Sequence, residues 1–103
     1  MPARRIRNLV FTWNNPPEDW LDLLKSYEEV SYCICQLEEV NTVHVQGYIE
    51  LSKQVSFAKV ARKFGWHIEP RRGSQSEAID YCRKEESRKD GPWEWGTKKV
   101  QGS

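Results

Sequence analysis

The chain has 103 residues, of which 38% are hydrophobic and 30% charged, with a net charge of +1. That length suits one small domain with its own core and leaves nothing for a second. The near-neutral balance argues against a protein that coats duplex DNA by bulk electrostatics, no apolar run can span a membrane, and Met1 to Arg7 lacks the apolar segment of a signal peptide; the expectation is a soluble, intracellular protein without a membrane partner.

Charge is local rather than global. Basic residues cluster at Arg4, Arg5 and Arg7, at Arg71 and Arg72, and at Arg83, Lys84, Arg88 and Lys89. Each run alone is an ordinary solvated surface, but together they fit a confined anionic ligand. The odd number of cysteines fits reduced thiols; Cys33 and Cys35 alternate with Tyr32 and Ile34 as small core residues would, at a spacing unlike a zinc site.

Ile6 to Trp13 reads as a central strand, with Leu9, Phe11 and Trp13 on one face and Asn8, Val10 and Thr12 on the other. Asn14-Asn15-Pro16-Pro17-Glu18 ends it, and the expected start of a helix follows: Asn15 as cap, Pro16 in the first helical position, Glu18 closing a capping box, and the helix running to about Ser26. Its Trp20, Leu21 and Leu24 form an apolar stripe assigned to the core. Val30 to Glu38 is a second strand, Glu39 to Thr42 a short connection, and Val43 to Leu51 a third strand completing an antiparallel hairpin.

The third strand has two unlike faces. Val43, Val45, Ile49 and Leu51 can pack on a core, while His44, Gln46, Tyr48 and Glu50 line the opposite side. If Cys33, Cys35 and Leu37 share the core face, Glu38 emerges across the hairpin beside His44 and Gln46.

From Lys53 to Phe64 the apolar residues Phe57, Val60, Ala61 and Phe64 fall at helical spacing, with Ser56 as a cap and Gly65 as the stop. Trp66 to Glu69 is a short strand and Pro70-Arg71-Arg72-Gly73 a basic loop. Ser74 to Glu77 is a capping box, and the helix behind it is expected to run from Gln75 to about Ser87. Ile79 and Cys82 make its inner line, while Tyr81 points away from it and Lys84 shares the side of Tyr81. Trp93 and Trp95 alternate in a last short strand before a polar tail, whose Gly102-Ser103 reads as a non-native end.

An imidazole, an amide oxygen and a carboxylate make a mixed nitrogen and oxygen donor set suited to Mn²⁺ or Mg²⁺. A lone strand histidine is more often a surface or hydrogen-bonded residue than a ligand, and a lone helix tyrosine is ordinarily a half-buried aromatic. Read together they change: a tyrosine hydroxyl with a lysine nearby and a divalent cation can attack a phosphodiester, because metal and ammonium offset the charge developing on the phosphate oxygens.

These residues resemble the replication-initiator proteins of small circular single-stranded DNA viruses, circoviruses and nanoviruses, which are HUH-type nicking endonucleases. Phe11-Thr12-Trp13-Asn14-Asn15 is similar to their first motif, His44-Val45-Gln46 to the second, and Tyr81-Cys82-Arg83-Lys84 to the third, in the same order, and the likeness covers nearly the whole chain. The resemblance implies an α+β fold with a central antiparallel sheet of about five strands flanked by helices, a ferredoxin-like or RRM-like palm. It implies that Glu38, His44 and Gln46 hold Mn²⁺ or Mg²⁺, that Tyr81 is the nucleophile and that Lys84 assists at the phosphate. It further implies nicking of single-stranded DNA at an origin hairpin loop, a 5′-phosphotyrosine intermediate, strand transfer and rolling-circle replication in the host nucleus. Asn14, Arg71 and Arg72 are candidate DNA contacts.

The carboxylate ligand stays open at this stage, since Glu39 could replace Glu38 across the short hairpin and Glu50 lies on the same face of the strand as His44. No Gly-x-x-x-x-Gly-Lys loop is present, so residues 1–103 read as one isolated nuclease domain without the family's helicase. The isolated domain is expected to be a monomer. The alternative function is a non-enzymatic module that binds single-stranded nucleic acid on Tyr48 or Tyr32 as a stacking platform; a protein-interaction domain is a third.

Overall fold

The computed structural model describes residues 4–100; the expected tail end at Gly102-Ser103 lies outside them. Five strands and three short helices follow in the order β1 (Arg5–Asn14), α1 (Trp20–Lys25), β2 (Val30–Glu39), β3 (Val43–Ser56), α2 (Phe57–Phe64), β4 (His67–Pro70), α3 (Gln75–Tyr81) and β5 (Arg88–Gly96). The strands form one antiparallel sheet in the order β4-β1-β3-β2-β5. This is the expected α+β architecture, with the two-faced strand β3 at its centre.

Alternation decides the two layers. Leu9, Phe11, Cys33, Cys35, Val45, Ile49 and Leu51 point to one side, where Trp20 and Leu24 of α1 and Val60 and Phe64 of α2 close the main core. Gly47 sits on that side because there is no room for more: a Cβ would come 2.3 Å from the Phe11 ring. On the other side α3 packs Ala78 and Ile79, with Cys82, over Tyr32, Ile34 and Tyr48. All three cysteines are free and buried. Among the described residues, no helix is long and apolar enough to cross a membrane.

Two helix boundaries depart from expectation, each for a local reason. α1 starts at Trp20 rather than Pro16, and Asn15 does not cap it: Asn15 adopts a left-handed conformation (φ 52°) and donates its N–H to the Val43 carbonyl at 2.9 Å. A residue preceding proline is disfavoured in the helical region, and both Asn15 and Pro16 precede one. α2 begins at Phe57 behind the expected Ser56 cap, which accepts from the Lys59 N–H, and stops at the expected Gly65; β3 runs on through Ser56 to meet it.

α3 begins at the expected capping box, Ser74 with Glu77, but ends at Tyr81 instead of Ser87. The carbonyls of Arg83 and Lys84 are taken by the side chains of Arg88 and Gln36, and the chain must turn to bring Arg88 opposite Glu38 in the β2–β5 ladder. Lys84 therefore stands just beyond the helix.

Candidate active site

The register of the β2–β3 hairpin pairs Glu38 directly with His44 and Gln36 with Gln46, and β1 adds Thr12 beside Gln46 and Asn14 beside His44. All point to the α3 side of the sheet. Glu38 Oε1 lies 3.0 Å from His44 Nε2, with the Glu38 side chain 2% and the His44 side chain 16% exposed. Glu38 Oε2 accepts from Gln36 Nε2 at 2.8 Å. The carboxylate is thus held at one oxygen and turned outward at the other.

Gln46 completes the row. Its Nε2 donates to the Phe11 carbonyl at 3.1 Å, and its Oε1 accepts from the Thr12 hydroxyl at 3.2 Å, which leaves that oxygen a second lone pair. Tyr81, 51% exposed, shares with Thr12, Gln46, His67 and Glu69 a cleft of about 210 Å³. The Lys84 ammonium joins the two halves: Nζ lies 4.0 Å from the centre of the Tyr81 ring and 3.8 Å from Glu38 Oε1. A nucleophile-type hydroxyl, a cation, an imidazole and a carboxylate therefore stand on one surface.

The donor chemistry fits a hard or borderline divalent cation. Among the described residues no group of three or more His, Cys, Asp and Glu side chains converges, so a cation here would depend on the amide oxygen of Gln46 beside His44 and Glu38. His44 Nε2 and Glu38 Oε1 already face one another at hydrogen-bonding distance, and an unprotonated ring nitrogen and a carboxylate oxygen are both metal donors. A nearly buried carboxylate is costly without positive charge nearby, and Lys84 alone supplies it only at 3.8 Å.

The alternatives for the carboxylate separate cleanly. Glu39 projects to the opposite side of β2 and pairs with Lys89 at 3.0 Å. Glu50 lies six residues along β3 from His44, about 20 Å at a strand's rise. It is buried and fully engaged, accepting from Tyr48 Oη at 2.5 Å, Gln75 Nε2 at 2.7 Å and the Lys99 backbone N–H at 2.7 Å. Burial alone would raise its carboxyl, but these donors outweigh it and hold the group below the usual range. Of the three glutamates, Glu38 is the one in contact with His44.

The basic candidates fall apart from one another. Arg71 Nη1 donates to Tyr48 Oη at 2.9 Å and so belongs to the Glu50 cluster, whereas Arg72 is exposed, 3.9 Å from Glu69. Asn14 is exposed at the end of β1 next to His44. The expected stacking platform does not exist: Tyr32 and Tyr48 are both buried, the first bonded to Glu94 at 2.6 Å and the second to Glu50, and burial pushes both phenols well above their ordinary range. Gln36 and Arg88 were missed by sequence reasoning; Gln36 sits in the same alternating row as Glu38, a signal that was present, while Arg88 arrives only through the β5 pairing.

Residues 6–85 match the family described as "Putative viral replication protein". The chain belongs to this family. Among its relatives, the master replication protein of Subterranean clover stunt virus (strain F) is 42% identical over 97 residues, covering 91% of this chain and 32% of that protein. That of Banana bunchy top virus (isolate Autralia) is 40% identical over 101 residues, covering 95% and 34%. Para-Rep C10 of the Milk vetch dwarf C10 alphasatellite is 47% identical over 70 residues, covering 67% and 24%. The viral replication protein domain thus spans about a third of the length of the master replication proteins it matches.

Proposed function

We propose that this viral replication protein domain is a metal-dependent nicking endonuclease and strand transferase acting on single-stranded DNA at a replication origin. The observation that carries the reading is Lys84, whose ammonium touches both the Tyr81 ring and the Glu38 carboxylate and so ties the hydroxyl to the donor row. In this reading Glu38, His44 and Gln46 hold Mn²⁺ or Mg²⁺, which when bound polarises a phosphate oxygen of the scissile phosphodiester.

The chain's own residues do the rest. Tyr81 Oη attacks the phosphorus, forming an O–P bond while the bond from phosphorus to the 3′-oxygen breaks. The phenol proton is lost and the departing 3′-oxygen gains one, giving a 5′-phosphotyrosine and a free 3′-hydroxyl that primes synthesis. Lys84 offsets the charge that develops on the phosphate. The exposure of Tyr81 lets an unpaired strand reach it, and attack by the 3′-hydroxyl of another strand reverses the step and joins ends. Asn14 and Arg72 contact the backbone of the strand, with Arg71 a more rigid contributor. The same reading places the protein in the host nucleus during rolling-circle replication, its isolated domain monomeric.

The test mixes the protein, Mn²⁺ and a single-stranded oligonucleotide bearing an origin-type loop, followed by a denaturing gel. A covalent adduct that disappears with Tyr81→Phe and with chelator is expected. Reversible binding with no adduct on any origin sequence would instead make the domain a non-enzymatic binding module.

A further inference from the structure

Gln36 is fully buried in the middle of the sheet, in the same row as Ile34 and Glu38. A buried amide is stabilising only when its hydrogen-bonding capacity is met, and this one is used completely. Its two N–H groups donate to Glu38 Oε2 and to the Lys84 carbonyl, each at 2.8 Å, and its oxygen accepts from Arg88 Nε at 2.9 Å. The orientation is unambiguous, since a flipped amide would set its oxygen against a carboxylate and a carbonyl, and its NH₂ against a guanidinium. Arg88 Nη2 also donates to the Arg83 carbonyl at 2.5 Å. Two side chains thus grip two successive carbonyls just past Tyr81, and one of them also grips the carboxylate that faces His44.

We propose that Gln36, locked by Arg88, is a positioning residue: it turns Glu38 Oε1 toward His44 and fixes the segment carrying Tyr81 and Lys84 in the same frame. The inference rests on the nickase reading of this site. Its physical content is that one rigid amide sets the spacing between the metal-holding row on β2 and β3 and the nucleophile at the end of α3, two elements that no backbone ladder joins. Partners of this kind orient metal-binding side chains and affect affinity although they touch neither metal nor substrate.

The test compares the wild-type domain with Gln36→Leu and Arg88→Met. Calorimetric titration with Mn²⁺ measures metal affinity, single-turnover cleavage of the origin-type oligonucleotide measures rate, and circular dichroism monitors folding. Gln36→Leu is expected to weaken Mn²⁺ binding and slow cleavage by about tenfold or more each, with KM for the oligonucleotide within about twofold; Arg88→Met shows the same pattern at smaller amplitude. A merely structural role would lower the melting temperature and leave Mn²⁺ affinity and rate unmoved, which would overturn the inference. Should Gln36→Leu fail to fold, Arg88→Met decides by the same criteria. If the wild type cuts and the variants cut equally well, only this inference fails; if the wild type neither binds Mn²⁺ nor cuts, the nickase reading fails and takes the inference with it.

Discussion

Two glutamates on the same side of the same sheet have opposite fates. Glu50 receives hydrogen bonds from Tyr48, Gln75 and the Lys99 backbone and is closed to any further partner. Glu38 is equally buried, yet only one of its oxygens is fixed, by Gln36, while the other faces the partly exposed His44 and Lys84. The difference lies in the donors. A tyrosine O–H, an amide N–H and a backbone N–H finish the Glu50 cluster as structure, whereas Glu38 Oε1 meets the His44 ring nitrogen and the Lys84 ammonium, side chains that could share or yield the carboxylate to a cation. One end of the polar row holds the fold together and the other is left available for chemistry.

The comparison can be broken most sharply at the open end. In the proposed site His44→Ala would remove a direct donor, so Mn²⁺ affinity and cleavage should fall by at least the roughly 100-fold that marks the upper range for loss of an outer partner, with the thermal midpoint nearly unchanged. Calorimetry and the gel assay check this. Wild-type Mn²⁺ affinity in the variant would place the metal elsewhere.

At the closed end the effect should appear in stability instead. Glu50→Gln leaves buried donors mismatched and should cost about 1–3 kcal/mol in urea unfolding, while folded protein cuts at close to the wild-type rate. Its pH dependence has a definite sign. The carboxyl is lowered in the fold, so its contribution is present in full above the unfolded value of about 4.3 and is lost as pH falls through the lower folded value. Unfolding measured from pH 7 down to pH 3 should show a steeper acid decline in the wild type than in Glu50→Gln. A variant that unfolds normally but loses Mn²⁺ would reverse the roles of the two glutamates.

The smallest effect belongs to the rim. Arg72 is exposed and only loosely paired with Glu69, so Arg72→Ala should weaken binding of a non-cleavable single strand a few-fold and reduce the salt slope of log K by about 0.7, the value for one phosphate contact. A slope that does not change would remove Arg72 from the DNA-contacting surface.

The local grammar of this chain is legible in its sequence wherever one physical rule acts alone. The period of two in Val43 to Leu51 assigned the core and polar sides of β3, and Ser74 with Glu77 marked the start of α3 correctly, while the α+β class came from the family resemblance of the motifs. Helix ends were less legible because competing partners settle them. After Tyr81 the side chains of Gln36 and Arg88 take the carbonyls that a longer helix would have used, and Gln36 lies 48 residues away in sequence.

The motifs at His44, Gln46 and Tyr81 indicated the family and named candidate site residues, since alternation and residue chemistry are properties of short stretches. Choosing among Glu38, Glu39 and Glu50 needed the fold. Neighbouring strand residues point to opposite faces, so a shift of one position in register would have exchanged Glu38 for Glu39, and it is the observed register that sets Glu38 beside His44. Tyr48 and Tyr32 likewise looked available on an alternating polar row until α3 covered them. Sequence determined which residues share a face; tertiary structure determined which of those faces stays open, because burial and hydrogen-bond saturation depend on what the rest of the chain places over them.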